Sequence, residues 1–218
     1  MAAEVREVYE LLYAAYGDLN WWPADSPYEV IVGAILTQNT AWTNVEKAFA
    51  NFPASPDPHN ILALDHEGLT ALIRPAGYHN QKARYLQNIT EWYRSHNFDT
   101  SKVQDSGLET IRKDLLNTKG IGPETADSIL LYAFEFPTFV VDAYTVRLCQ
   151  RYPILTPNYS YAKVKSYFEA NLPVNTALYN NYHALIVKNG NTHCRKRPIC
   201  TGCPLDAYCA KIGVEQPR

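Results

Sequence analysis

Four cysteines close to the C-terminal end, Cys194, Cys200, Cys203 and Cys209, follow the spacing Cys-x5-Cys-x2-Cys-x5-Cys. A set of thiols this dense ties the backbone around it to one shared ligand, and so constrains the fold more than any other feature of the chain. Thiolates suit zinc or an iron–sulfur cluster, and four of them complete either site. Four protein ligands leave no open position for a substrate, so the role expected is structural. The opening residues, Met1-Ala2-Ala3-Glu4-Val5-Arg6, lack the basic start and apolar stretch of a secretion signal. The expectation is a cytoplasmic protein whose crowded cysteines bind a metal or cluster rather than pair as disulfides. The fifth cysteine, Cys149, reads as a small buried hydrophobe. Arg195, Lys196 and Arg197 lie between the first two ligands. On a loop held rigid they suit phosphate contact, the alternative being a solvated charged face.

The rest of the pattern is helical. Val5, Leu11, Leu12 and Ala15 fit an amphipathic first helix ending near Gly17, and Tyr28 to Leu36 is apolar enough for a central helix. Val45, Ala48 and Phe49 line a short helix, and a Pro-rich connector follows from Phe52 to Pro58. Ala83, Leu86, Ile89 and Trp92 recur at helical spacing. Further helices are expected over residues 108–116, 123–135, 143–151, 160–170 and 176–188. Phe139-Val140-Val141 could form a strand, but three residues are more simply a buried approach to a helix. The fold class expected is all-α. No apolar run approaches the roughly 20 residues that a membrane span requires. With 218 residues and a net charge of −2, global electrostatics do not announce a nucleic-acid partner, so DNA binding would have to come from local patches.

One such patch is Thr118-Lys119-Gly120-Ile121-Gly122-Pro123-Glu124. Glycines let a backbone turn tightly and approach a ligand, Pro123 suits a first helical position, and amides at a helix start receive phosphate. With Ala126, Ile129 and Leu130 continuing the apolar stripe, the segment reads as a helix-hairpin-helix whose Lys119, Gly120, Ile121 and Gly122 meet DNA. Asp142 follows the apolar Phe139-Val140-Val141 and opens the next helix. It reads as an N-cap and, compatibly, as a carboxylate held ionised and aimed.

The hairpin, the aspartate-led helix and the four-cysteine loop, in that order, resemble the endonuclease III superfamily of helix-hairpin-helix DNA glycosylases over about residues 20–210. The resemblance implies a six-helix barrel domain, residues 24–136, and a [4Fe-4S] domain built from residues 1–23 and 137–218. It implies a double-stranded DNA partner with a damaged base flipped out of the stack, and a monomeric, nucleoid-associated enzyme. Asp142 matches the catalytic aspartate. Glu124 stands where bifunctional members carry a Schiff-base lysine, and a carboxylate cannot be that nucleophile; Lys119 precedes the hairpin and does not match. Gln38 matches a glutamine that fills the space left by the flipped base, and Tyr78 a wedge at the opposite strand. The first cysteine spacing is one residue shorter than the commonest family pattern, so zinc stays open as the alternative occupant.

Asn20-Trp21-Trp22-Pro23, Leu36-Thr37-Gln38-Asn39-Thr40 and Asn80-Gln81-Lys82-Ala83 resemble the bacterial 3-methyladenine glycosylase branch more closely. That resemblance makes Trp21, Trp22, Pro23 and Trp42 lining of the base pocket, although studied members of the branch lack the cluster cysteines. The chemistry agrees, since a 3-methylated adenine is cationic on its sugar and indole faces attract cations. One or both of Trp21 and Trp22 could instead be a packing staple. The expected function is a monofunctional glycosylase for alkylated purines. The alternatives are an endonuclease III-like glycosylase and lyase on oxidised pyrimidines or mismatched thymine, and a non-catalytic DNA-binding module. His183 and His193 are read as packing or surface residues.

Overall fold

The structure is a computed structural model that describes residues 2–152, 154 and 160–214. Its α-helices are α1 (Ala2–Tyr16), α2 (Pro27–Leu36), α3 (Trp42–Phe49), α4 (Pro58–Ala63), α5 (His66–Leu72), α6 (His79–Ser95), α7 (Thr100–Asp105), α8 (Leu108–Asn117), α9 (Pro123–Tyr132), α10 (Ala143–Arg151), α11 (Tyr161–Asn171) and α12 (Thr176–Thr192). Among the described residues there is no strand, and the fold is all-α. The chain divides into two compact units, residues 22–136 and residues 1–21 with 137–218.

In the central unit, Ser26 caps α2 by accepting from the Glu29 amide, and Pro27 occupies the first turn where its missing N–H costs nothing. Every residue of α2 but Pro27 and Glu29 is buried, so this is the helix around which α6 and α9 pack. Completely buried Ile31, Ile35 and Leu36 each contribute roughly 1.5–3 kcal/mol of hydrophobic stabilisation. Three short helices escape the sequence pattern because one or two turns cannot display a 3.6-residue period: α4, α5 and α7. Each is started locally by an aspartate, Asp57, Asp65 and Asp99, accepting from amides of its first turn. The Pro-rich connector therefore ends at Pro58, as the first residue of α4.

Helix α9 stops at Tyr132, three residues before the expected end. The chain there turns through Glu135 at φ 55°, and the Phe136 amide returns to the Leu130 carbonyl. In the other unit α12 continues to Thr192, past the expected 188. There α1 packs on α11 and α12, and α10 on α12. The hydroxyl of fully buried Tyr182 donates to the Val5 carbonyl at 2.7 Å. Phe139, Val140 and Val141 are buried and belong to neither helix nor sheet, with Phe139 stacked on Phe168 at 4.4 Å. They are the buried approach to α10.

Candidate active site and cluster loop

The hairpin joins α8 to α9 within the central unit. Gly120 has φ +103°, and a Cβ placed on it would lie 2.2 Å from the Tyr85 ring, so only glycine fits beneath that ring. Ile121 is 6% exposed and belongs to the core; its side chain anchors the turn and leaves only its backbone to a ligand. Lys119, Gly122 and Glu124 are exposed. Arg112 of α8 grips fully buried Asp127 of α9 through Nε at 2.7 Å and a terminal nitrogen at 3.0 Å, a bidentate staple across the hairpin. Asn88 donates to the Lys119 carbonyl at 3.0 Å. An open groove of about 490 Å³ runs beside the hairpin, lined by Arg84, Tyr85, Gln87, Asn88 and Lys119 among others.

Gln38 is half-buried and donates from Nε2 to the Gly120 carbonyl and to Thr125 Oγ1, both at 3.1 Å. Its amide is thus held at the turn of the hairpin. Tyr78 is 67% exposed and adopts a left-handed backbone, φ 46°, at the start of α6. A bulky non-glycine residue held there is strained, and strain of this kind gathers at working sites.

Trp22 meets Trp42 edge to face, centroids 5.2 Å apart, and lies 5.2 Å from the Tyr132 ring. Both indoles rest on α2 at Gly33, where a Cβ would sit 3.2 Å from Trp22 and 3.5 Å from Trp42. Gly33 thus lets Trp22 approach α2 where a Cβ would crowd it, while Trp42 lies at ordinary contact distance from the same turn. Trp21 is half-buried and Pro23 exposed.

In the other unit Asp142 caps α10, its Oδ1 accepting from the Thr145 amide at 2.7 Å and the Thr145 hydroxyl at 3.0 Å. His183 Nε2, on α12, stands 3.5 Å from Asp142 Oδ2, the spacing of an ion pair rather than a short hydrogen bond. Burial pushes the Asp142 carboxyl up, but His183 and the two Thr145 bonds outweigh it and leave it below the usual carboxylate range. The result is an ionised carboxylate with side-chain exposure of 12%. His183 is therefore more than packing. The sequence gives no local signal for it, since it lies 41 positions from Asp142 (183 − 142).

The four cysteines line one cavity of about 30 Å³, with Leu148, Asn189 and Leu205, more room than a single water needs. Among the described residues, no group of three or more His, Cys, Asp or Glu is placed to hold a metal ion. The loop is fixed by Arg151, 9% exposed, which donates to Cys194 Sγ at 3.2 Å and to the Arg195 and Lys196 carbonyls at 2.6 and 3.1 Å. Arg147 donates to the Cys194 carbonyl at 2.6 Å, and the Cys203 thiol to Asn189 Oδ1 at 3.6 Å. Burial raises the Cys203 and Cys209 thiols, and repulsion from neighbouring cysteines raises them further. Arg195, Lys196 and Arg197 are exposed, with Arg195 Nε bonded to the Asn191 carbonyl. His193 Nδ1 lies 3.0 Å from the Ile199 carbonyl within this loop. Cys149 is 1% exposed, and burial pushes its thiol up to about 12, the state of an inert core residue.

A glycine-turned hairpin, a helix-capping carboxylate and an all-helical scaffold together define a helix-hairpin-helix protein of DNA repair. The chain belongs to the HhH-GPD superfamily of base excision DNA repair proteins, whose pattern matches residues 32–173. It is a base excision DNA glycosylase. The "putative DNA repair glycosylase" of Methanocaldococcus jannaschii is 43% identical over 209 residues, covering 94% of this chain and 95% of its own. A trapped endonuclease III–DNA covalent intermediate superposes with a TM-score of 0.79 at 22% identity, over 97% of this chain and 96% of that one. The H. pylori 3-methyladenine DNA glycosylase bound to 1,N6-ethenoadenine gives 0.74 at 24% identity, over 86% and 97%. No helix among the described residues is long and apolar enough to cross a membrane.

Proposed function

We propose that the chain is a monofunctional, monomeric glycosylase that removes alkylated purines such as 3-methyladenine from double-stranded DNA. The observation that carries this reading is the Trp22–Trp42 pair seated on Gly33. Indole faces favour a cationic base over a neutral one by roughly 0.5–2 kcal/mol each, so the pair suits a flipped, methylated purine. Trp21 and Pro23 border it in sequence. Gln38 fills the space the base vacates, and Tyr78 wedges the opposite strand. Lys119, the Gly120–Gly122 backbone and the Arg195–Lys196–Arg197 stretch receive phosphates.

Ionised Asp142 stabilises the positive charge that develops on the sugar and orients water. The bond from C1′ to the purine breaks, and its electron pair neutralises the departing cationic base. Water adds to C1′ and yields its proton to Asp142 or to solvent. Glu124 supplies no amine, so no Schiff base forms at that position and the product is an abasic strand.

Cys194, Cys200, Cys203 and Cys209 hold a [4Fe-4S] cluster in this reading. Four thiols line one cavity beside polar groups of Arg151 and Asn189, and thiols are the donor type such a cluster takes, although the described residues form no group of three or more placed to hold a metal ion. The cluster supplies a four-point cross-link that stiffens the basic loop. Iron and sulfide analysis distinguishes it from zinc.

The test is base release from a panel of lesion duplexes, wild type against Asp142→Asn. Free 3-methyladenine with intact abasic strands supports the proposal. Strand scission with oxidised pyrimidine or mismatched thymine substrates supports the endonuclease III-type alternative. Binding with no base released leaves a non-catalytic module.

A further inference from the structure

Lys82 of α6 is 2% exposed, a position where lysine is rarely found without a purpose. Its Nζ donates to two carbonyls, Leu36 at the end of α2 and Ala76 at the end of the 3-10 turn Arg74–Ala76, each at 2.8 Å. Those carbonyls occupy equivalent places. Two residues beyond Leu36 comes Gln38, and two residues beyond Ala76 comes Tyr78. Each segment also carries a residue in the left-handed region, Asn39 at φ 54° and Tyr78 at φ 46°. One buried ammonium therefore ties together the two strained turns that present the two residues assigned to probe the duplex.

We propose that Lys82 is a positioning residue that presets Gln38 and Tyr78 relative to each other, so that both enter the DNA as one device. The inference rests on the assignment of Gln38 and Tyr78 as probes. A charged donor suits the task because it bonds two carbonyls more strongly than a neutral amide would, and because each carbonyl closes a helical segment that cannot satisfy its own end. Without the clamp each turn could relax independently toward an unstrained backbone. The cost would then fall on recognition of the gap rather than on attraction to phosphate.

The experiment measures affinity of the full chain for a duplex containing a tetrahydrofuran abasic analogue and for the same undamaged duplex, at fixed salt. Lys82→Met, Lys82→Gln, Gln38→Ala, Tyr78→Ala and the double variants are compared. Because no base is released, the readout is independent of which lesion is cleaved. The expected result is that Lys82→Met lowers the abasic-to-undamaged ratio about tenfold, the scale of coupling between residues sharing a network, while undamaged-duplex affinity stays within about twofold. Adding Gln38→Ala or Tyr78→Ala to Lys82→Met should then cost much less than either alone. Lys82→Gln, which keeps a donor, should fall between and serves if Lys82→Met does not fold. Equal losses on both duplexes, or full additivity, overturn the inference. If Gln38→Ala and Tyr78→Ala leave the ratio untouched, the probe assignment itself fails, and the inference with it.

Discussion

Replacing Asp142 by Asn separates two roles that one carboxylate plays. As the N-cap of α10, Asp142 accepts from the amide and hydroxyl of Thr145 through Oδ1. Asparagine caps about as well as aspartate, whereas alanine costs about 1 kcal/mol. In a domain of this size, 1 kcal/mol corresponds to roughly 2–4 °C in Tm. Asp142→Ala should therefore melt a few degrees below Asp142→Asn, which should stay close to wild type. Catalysis sorts the variants differently, because both remove the negative charge that stabilises the sugar cation. Losing one preorganised electrostatic partner costs on the order of 10²–10³ in rate, so both should fall by that factor. The assay is single-turnover release of 3-methyladenine from methylated duplex, with circular-dichroism melting on the same samples. An Asp142→Asn variant retaining more than about a tenth of the rate would refute the electrostatic role and leave Asp142 a cap alone.

Other expectations follow from the same geometry. Asp142 has a depressed folded pKa, so its charge persists to pH values below the usual carboxylate range; the stabilisation is complete above the unfolded pKa and is lost as pH falls through the folded one. His183→Gln removes the main opposition to burial, so the acid limb of the single-turnover rate should move to higher pH; an unmoved limb disproves the pairing. Burial lowers Lys82 from 10.5 to about 8. The folded state then binds fewer protons than the unfolded one between those values, and urea stability should rise with pH across that window in wild type but not in Lys82→Met. Gly120→Ala drives a methyl against the Tyr85 ring and should cost about 1–3 kcal/mol from overpacking, part of it recovered when Tyr85→Ala is added. Cys203→Ser should lower bound iron and sulfide and weaken duplex affinity through the loosened basic loop. Unchanged iron content would remove Cys203 from the ligand set.

Local chemistry decided a large part of this protein before any packing was known. The long helices α1, α2, α6, α8, α10 and α12 announce themselves because an apolar stripe repeated over several turns has few other ways to be buried. The Gly120-Ile121-Gly122-Pro123 turn and the Asp142 cap were equally legible, since their geometry depends on a few adjacent residues. The short helices α4, α5 and α7 were not, because their first-turn aspartates are visible but their periodicity is not. Ile121, the one apolar side chain between two glycines, begins the apolar stripe in the sequence, but only the fold showed it 6% exposed and so unable to offer a ligand more than its backbone. Tertiary structure alone brought His183 to Asp142, Arg151 to the cysteine loop and Lys82 to the Leu36 carbonyl as well as to the nearby Ala76 carbonyl. All of those contacts but the one from Lys82 to Ala76 join residues separated by tens of positions, and nothing in a linear pattern encodes which buried charge meets which partner. Desolvation is the physical reason they matter. A charged or polar group taken out of water must find its partner in the fold, and the fold alone determines where that partner stands.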